Sequence, residues 1–207
     1  MNVIRLGLTL LAAPALLWGA QASAKVATGD NVSDMTVVDT QGVTHKLSDF
    51  AGKKVVLEWT NHGCPFVKKH YNAKYSNMQN LQKLAAADDV VWLSIISSAP
   101  GEQGYVNADQ ANALTVSRGA NPSAVILDPK GDAGRTFSAK TTPHMFVIDA
   151  DQTLVYQGAI DSNSSVWARS IPGATNYVQA ALDDLKAGNP VSTAETAPYG
   201  CSVKYNS

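Results

Sequence analysis

Cysteine is scarce in this chain: there are two in 207 residues, Cys64 and Cys201. That excludes a four-cysteine zinc site and a disulfide-dense scaffold, and it leaves one possible intramolecular pairing. Excess charge of either sign is missing as well, since 16 Lys and Arg against 17 Asp and Glu give a net charge of −1 with the signs interspersed. A chain so balanced carries no electrostatic footprint of nucleic acid or of an anionic membrane surface. Internal repeats, low-complexity tracts and charge blocks are absent. The apolar run Leu6 to Trp18 is short of the ~20 residues that a spanning helix needs.

What is present begins with an export signal. Arg5 precedes the apolar run, and Ala22-Ser23-Ala24 supplies small residues at the cleavage positions. The expectation is a signal peptide over residues 1–24 and a periplasmic or secreted mature protein with no membrane span once the signal is removed. The signal holds no cysteine, which excludes a lipid anchor at its end. An oxidising compartment lets disulfides persist, so Cys64 and Cys201 are to be considered as a pair. Residues 25–190 read as one domain and 191–207 as a tail that carries Cys201.

The chain is organised around Val55 to His70. The β-branched run Val55-Val56-Leu57-Glu58-Trp59 predicts a buried strand, Thr60-Asn61-His62-Gly63 a turn, and Cys64-Pro65 the opening of a helix. At such a corner, free backbone N–H groups and the helix dipole favour thiolate over thiol, and Pro65 sacrifices no N–H at the first helical position. Cys64 is therefore the candidate nucleophile.

Elsewhere the pattern is strand, turn, strand over Met35–Leu47 and a helix from Cys64 to about Ala86 with a break near Tyr75-Ser76-Asn77. A buried strand follows over Asp89–Ser97, then a helix over Asn107–Gly119 and a strand over Ser123–Leu127. A short helical stretch (Ala133–Ala139) comes next, then Thr142-Pro143 leading into His144–Ile148, and a hairpin of Phe146–Asp149 with Thr153–Gly158. Thr175 is the predicted cap of a last helix ended by Gly188 and Pro190, and the tail beyond has no periodicity. The βαβα order implies a parallel sheet core. Gly101-Glu102-Gln103-Gly104 lacks the lysine and the strand-to-helix setting of a phosphate cradle.

Trp59 to Tyr71, Thr142 to Asp149 and Pro198 to Tyr205 together resemble the peroxiredoxin-like, redoxin-domain group of thioredoxin-fold proteins. Gly63-Cys64-Pro65-Phe66-Val67 is similar to the Cys-x-x-Cys turn of thioredoxins with Val67 in place of the second cysteine. The resemblance implies an α/β thioredoxin-like fold with an N-terminal β-hairpin extension and a C-terminal helix plus tail. It also implies a cis bond at Thr142-Pro143, facing the redox cysteine and aligning a partner's backbone, and a buried carboxylate at Glu58, six residues before Cys64.

The chemistry expected is thiol–disulfide exchange with Cys64 as the reactive sulfur. A carboxylate facing inward has a raised pKa and exchanges protons near neutrality, which makes Glu58 the candidate proton acceptor or donor. His62 and His144 are candidates to stabilise the thiolate as imidazolium, with Thr60 nearby in the turn, whereas Lys68 and Lys69 are expected in solvent. Val67 removes a local resolving thiol, so Cys201 or an external thiol reductant resolves an adduct at Cys64. A permanent Cys64–Cys201 brace, worth about 4–5 kcal/mol in the chain-entropy model, is the alternative.

Expected partners are a protein or small-molecule disulfide, or a hydroperoxide, and no cofactor is expected. A hydroperoxide-reducing antioxidant role is a second reading. Against the peroxiredoxin pattern, however, Asn61 stands where a Thr or Ser is usual, Thr60 is one residue early and Leu57 replaces a proline. Arg135 is the guanidinium that such a role would call on. A third reading is a non-catalytic peptide-binding or copper-carrier module, with His62, Cys64, His70 and His144 as the donor set.

Overall fold

The computed structural model describes residues 25–206. The segment read as an export signal, 1–24, lies outside them.

β1 (Thr36–Val38) and β2 (Thr44–Lys46) form the N-terminal hairpin, and a 3-10 turn over Leu47–Phe50 leads to β3 (Val55–Trp59). The helical stretch expected after Cys64, with its break near Tyr75-Ser76-Asn77, is two helices, α1 (Pro65–His70) and α2 (Asn77–Ala87). They are parted by a turn that ends at Ser76 in the left-handed region (φ 46°), where helical hydrogen bonding cannot continue. β4 (Val91–Ile96), α3 (Ala108–Ser117) and β5 (Ala124–Leu127) complete the parallel half. α3 starts with a capping box in which Asn107 and Gln110 satisfy each other's backbone N–H groups.

The second half is α4 (Asp132–Thr136), β6 (Thr141–Thr142), β7 (His144–Ile148), β8 (Leu154–Gly158), a 3-10 stretch over Ala168–Gly173, α5 (Tyr177–Lys186) and β9 (Cys201–Ser202). The cap of α5 is Asn176, whose side chain accepts from the Gln179 N–H, in place of the expected Thr175. Asn176 stands one residue closer to the helix, and its short amide reaches the N3 position.

The central sheet has the order β5-β4-β3-β7-β8, with β3, β4 and β5 parallel and β7 and β8 antiparallel. Its outer strands are shielded: Asp39 of the hairpin bridges Ile126 on β5, and Glu195 of the tail bridges Gln157 on β8. Alternation along β3 and β7 divides the interior in two. One face gathers Val56, Trp92, Met145 and Val147 under α1, α2 and α5. The other gathers Val55, Leu57, Trp59, Phe146 and Ile148 with Val37, Leu47 and Phe137. Each fully buried aliphatic or aromatic side chain there contributes about 1.5–3 kcal/mol relative to exposure.

The tail, which has no pattern of its own, is nonetheless ordered by tertiary contacts. On the β8 edge the Thr196 N–H donates to the Gln157 carbonyl and the Gln157 N–H to the Ala194 carbonyl, β9 pairs with β6, and the Tyr205 hydroxyl donates to the Ala139 carbonyl at 2.8 Å.

Candidate active site

β3 ends at the corner where the turn begins, and the turn is held by one amide. Asn61 Oδ1 accepts from the Gly63 N–H at 2.8 Å, and its Nδ2 donates to the Gln103 carbonyl and side chain at 3.0 Å each. Cys64 follows in extended conformation (φ −72°, ψ 126°) as the N-cap of α1, with Pro65 as the first helical residue. The Thr142–Pro143 bond is cis, and Thr142 lies against the cysteine, with its carbonyl oxygen 3.0 Å from Cys64 Sγ.

The tail completes the site. β9 runs antiparallel to β6 with Cys201 directly opposite Thr142, so the two cysteines meet at one strand edge. Gly200 fits there because a β-carbon would collide with the Thr142 carbonyl, and its φ of 141° is open only to glycine.

Burial opposes ionisation of Cys64. The Cys201 thiol, the Thr142 hydroxyl and the backbone N–H groups of Val67 and Cys201 counter it, and together they hold the pKa below the ordinary thiol value. The Thr142 hydroxyl has no well-aligned hydrogen-bond partner, so its action on the sulfur is that of a nearby dipole. The Thr142 carbonyl accepts the S–H of the neutral form and pulls the other way. Cys201 is pushed up to about 11 by burial, by its hydrogen bond to Cys64 and by the charge there. The pair is thus poised with the negative charge on Cys64.

The sulfur lies beside the cis-proline edge, as the resemblance implied, and its side chain is 0% exposed. From the tail, Cys201 and Tyr199 pack against the cluster that contains Cys64, and Tyr199 makes an edge contact with Phe66.

Glu58 is fully buried on the same face, as expected of an inward carboxylate. Tyr71 donates to Oε1 at 2.9 Å, and Trp92 Nε1 and Ser94 Oγ to Oε2 at 2.9 Å each, while Gln82 Nε2 donates to Oε2 at 3.2 Å. Burial raises its pKa against the pull of Trp92, Tyr71, Ser94 and the charge of Arg118. No hydrogen bond joins it to either cysteine among the described residues.

Burial works against the imidazolium form at both candidate histidines, His62 and His144. His144 is pulled down to about 3 by burial and by the charge of Lys140, and its Nδ1 accepts from the Lys140 N–H. It stands at an even position of β7, so it faces Phe146 (rings 4.4 Å apart) on the side of the sheet away from Cys64. His62 is lowered by burial and by the charges of Arg118 and Lys68. Thr60 is buried with its backbone N–H on Ile95 and its hydroxyl unpartnered, so it fixes the turn's start and touches no sulfur through a hydrogen bond.

Lys69 is the clearest correction among the cations. It is buried, and its Nζ lies 2.6 Å from the Asn163 carbonyl, 3.3 Å from Asp161 Oδ2 and 3.3 Å from the Tyr199 hydroxyl. His70 joins the same cluster, accepting from Asn77 at 2.8 Å and lying 3.0 Å from the Tyr199 hydroxyl. Burial pulls His70 down to about 4. The Tyr199 hydroxyl also donates to Asp161 Oδ1. Charge cancellation by Asp161 is what lets a lysine enter the core here. Arg135 is likewise committed elsewhere, donating to the Lys130 carbonyl and to Asn206 and stacking on Tyr205.

Among the described residues, no three His, Cys, Asp or Glu side chains converge as metal ligands, so His62, Cys64, His70 and His144 do not form a donor set. No helix among those residues is long and apolar enough to cross a membrane.

A parallel–antiparallel sheet that brings a cysteine-opened helix against a cis-proline edge defines a thioredoxin-like thiol fold. The chain belongs to the Redoxin family, whose model matches residues 27–174. No match was found among curated proteins. Among solved structures, it is similar to the hypothetical protein SMc02350 from Sinorhizobium meliloti 1021, at 20% identity over 89% of this chain and 98% of that one, with TM-score 0.71. An uncharacterized conserved protein from Geobacillus kaustophilus matches at 22% identity over 87% and 93%, TM-score 0.71. The thioredoxin domain of thiol-disulfide oxidoreductase BVU-2223 from Bacteroides vulgatus matches at 15% over 72% and 98%, TM-score 0.50. At these identities the likeness is one of fold.

Proposed function

We propose that this protein is an exported thiol–disulfide redox protein in which Cys64 attacks and Cys201 resolves. The observation that carries the reading is the register of β6 and β9, which sets Cys201 opposite Thr142 while the Thr142 carbonyl lies 3.0 Å from Cys64 Sγ. The export half rests on residues 1–24 of the sequence.

The cycle follows from the charge distribution. Cys64 thiolate attacks one sulfur of a disulfide R–S–S–R′, forming Cys64–S–S–R and releasing R′–S⁻. With the charge on Cys64 gone, one cause of the high Cys201 pKa is removed, and Cys201 loses its proton more readily. Its thiolate then attacks the Cys64 sulfur, which forms the Cys64–Cys201 disulfide and expels R–S⁻. Two electrons pass from the protein pair to the substrate, and an external thiol reductant returns them. The Cys201 proton goes to the departing R′–S⁻, and Glu58, with a raised pKa on the same side of the sheet, is the candidate proton acceptor or donor once the site opens to water.

The test is stopped-flow mixing of reduced protein with a protein disulfide and, separately, with hydrogen peroxide, in wild type, Cys64→Ser and Cys201→Ser. Wild type is expected to exchange with the disulfide, Cys64→Ser to be inert, and Cys201→Ser to stop at a mixed disulfide detectable by mass. Peroxide consumption without disulfide exchange would replace this reading by the antioxidant one. Full activity in Cys201→Ser would remove the resolving role.

A further inference from the structure

The tail does more than deliver Cys201. It occupies the backbone edge beside Pro143, and Cys64 is completely covered while it does so. We propose that residues 199–203 form a strap that must leave the Thr141–Thr142 edge before an external disulfide can reach Cys64, with the Tyr199 hydroxyl as its latch. The proposal rests on the redox reading above and adds an access step to it.

Three observations carry this. Cys64 is at 0% exposure even though it sits at the mouth of a turn, and Cys201 of the tail stands opposite Thr142, whose carbonyl is 3.0 Å from the sulfur, with Tyr199 packed against the same cluster. The strap lies in the one place where a partner's backbone would pair, because β9 already uses β6, and Gly200 is pressed onto the Thr142 carbonyl. Finally, its attachments are few and local. β9 is two residues long, Val203 N–H bonds the Lys140 carbonyl at 3.1 Å, and Ala99 N–H bonds the Lys204 carbonyl at 2.8 Å.

The latch is the polar cluster under Tyr199. Its hydroxyl meets Asp161, His70 and Lys69, and those groups belong to α1 and to the loop after β8, not to the tail. Nothing in the central sheet has to break for Tyr199 to withdraw. Opening of this kind costs less than global unfolding, because it breaks a two-residue ladder and one polar cluster rather than the central sheet. The apparent rate at Cys64 is then the rate in the open state multiplied by the open fraction. In the open state Cys64 forms the mixed disulfide. Return of the strap puts Cys201 opposite Thr142 again, where it attacks the Cys64 sulfur and expels the bound thiol, so closing the strap and completing the exchange are one event.

Two lesions loosen the strap without touching either sulfur. Gly200→Val places a side chain against the Thr142 carbonyl, and Tyr199→Phe deletes only the latch hydroxyl while keeping the ring against Phe66. Both are made in the full chain with Cys201→Ser, so that Cys64 is the single thiol. Alkylation by iodoacetamide and thiolate release from a dinitrobenzoate disulfide are measured in parallel. Relative to Cys201→Ser alone, Gly200→Val is expected to alkylate at least tenfold faster and Tyr199→Phe several-fold faster.

Equal alkylation rates in all three proteins overturn the strap. A Gly200→Val chain that does not fold, as judged by circular dichroism, leaves the decision to Tyr199→Phe. Faster alkylation in the loosened variants with no thiolate release upholds the strap and defeats the redox reading. Thiolate release that is equal with and without the lesions upholds the redox reading and defeats the strap.

Discussion

The two faces of the central sheet are built by the same strands yet hold opposite kinds of side chain. On one, Trp59, Phe137 and Phe146 make an aromatic stack with ring centroids 5.0–5.6 Å apart, and the Trp59 N–H is satisfied by Ser97 at 3.0 Å. On the other, Glu58 accepts from Tyr71, Gln82, Trp92 and Ser94, Cys64 sits in the apolar cluster, and the Lys69–Asp161 pair is buried. The difference shows how a thin fold separates its tasks. Stability is concentrated on the aromatic face, where His144 is the one candidate site residue, and Glu58 and Cys64 lie across the strand, a whole layer away in space.

The largest expected effect comes from breaking the aromatic side. Phe146 is fully buried and touches Trp59, Phe137 and His144. Phe146→Ala should cost about 3–5 kcal/mol in urea unfolding, as large-to-small changes in a packed core do. Below its unfolding temperature, disulfide exchange at Cys64 should change less than twofold. A large loss of exchange in the folded variant would mean that the two faces are coupled.

A smaller effect of definite sign is expected from His144, which is neutral on the aromatic face. The unfolded chain protonates this residue below pH 6.5, and the folded chain only near pH 3. The unfolded state therefore binds more protons between those values, so the contribution to stability is complete above pH 6.5 and is lost as pH falls toward 3. At pH 4.5 the loss amounts to about 2–3 kcal/mol. His144→Asn keeps an acceptor for the Lys140 N–H and cannot be protonated there, so its unfolding midpoint should fall less between pH 7 and 4.5 than that of wild type. An equal fall would show that His144 contributes nothing to acid lability.

How much of this division was legible in the sequence depends on whether the cause was local. The strand-turn-cysteine-proline corner, the hairpins and the inward Glu58 follow from periodicity, turn residues and the resemblance at Trp59 to Tyr71. The orientation of His144 was also within reach: it shares the parity of Phe146 and Ile148, so the alternation that buries those two turns it away from the thiol. Lys69 gave no such signal, because α1 is only six residues long and its neutralising partner Asp161 lies 92 residues further along. The tail was opaque for the same reason. Its order comes from Tyr199, Gly200 and Tyr205 fitting onto distant backbone, and no short-range pattern records that.

The smallest change, and the one that sharpens the comparison most, is Glu58→Gln. The amide oxygen can take the position that accepts from Trp92, Ser94 and Gln82, and its NH₂ can donate to the Tyr71 oxygen, so the packing survives and only the charge is removed. At pH 7 the net stability change should stay within about 1–2 kcal/mol. Its pH dependence should run opposite to that of His144. Burial raises the folded pKa of Glu58 above 4.5, so the favourable contribution of the neutral acid is complete below 4.5 and is lost as pH rises through the folded value. The stability of Glu58→Gln relative to wild type should therefore improve from pH 4.5 to pH 8, as read from unfolding midpoints at both. If Glu58 also serves the exchange as proton reservoir, the rate–pH profile of the variant loses the limb that wild type shows over the same range. A profile identical to wild type, together with the stability trend, would leave Glu58 as a buried charge that shapes the face and takes no part in moving protons.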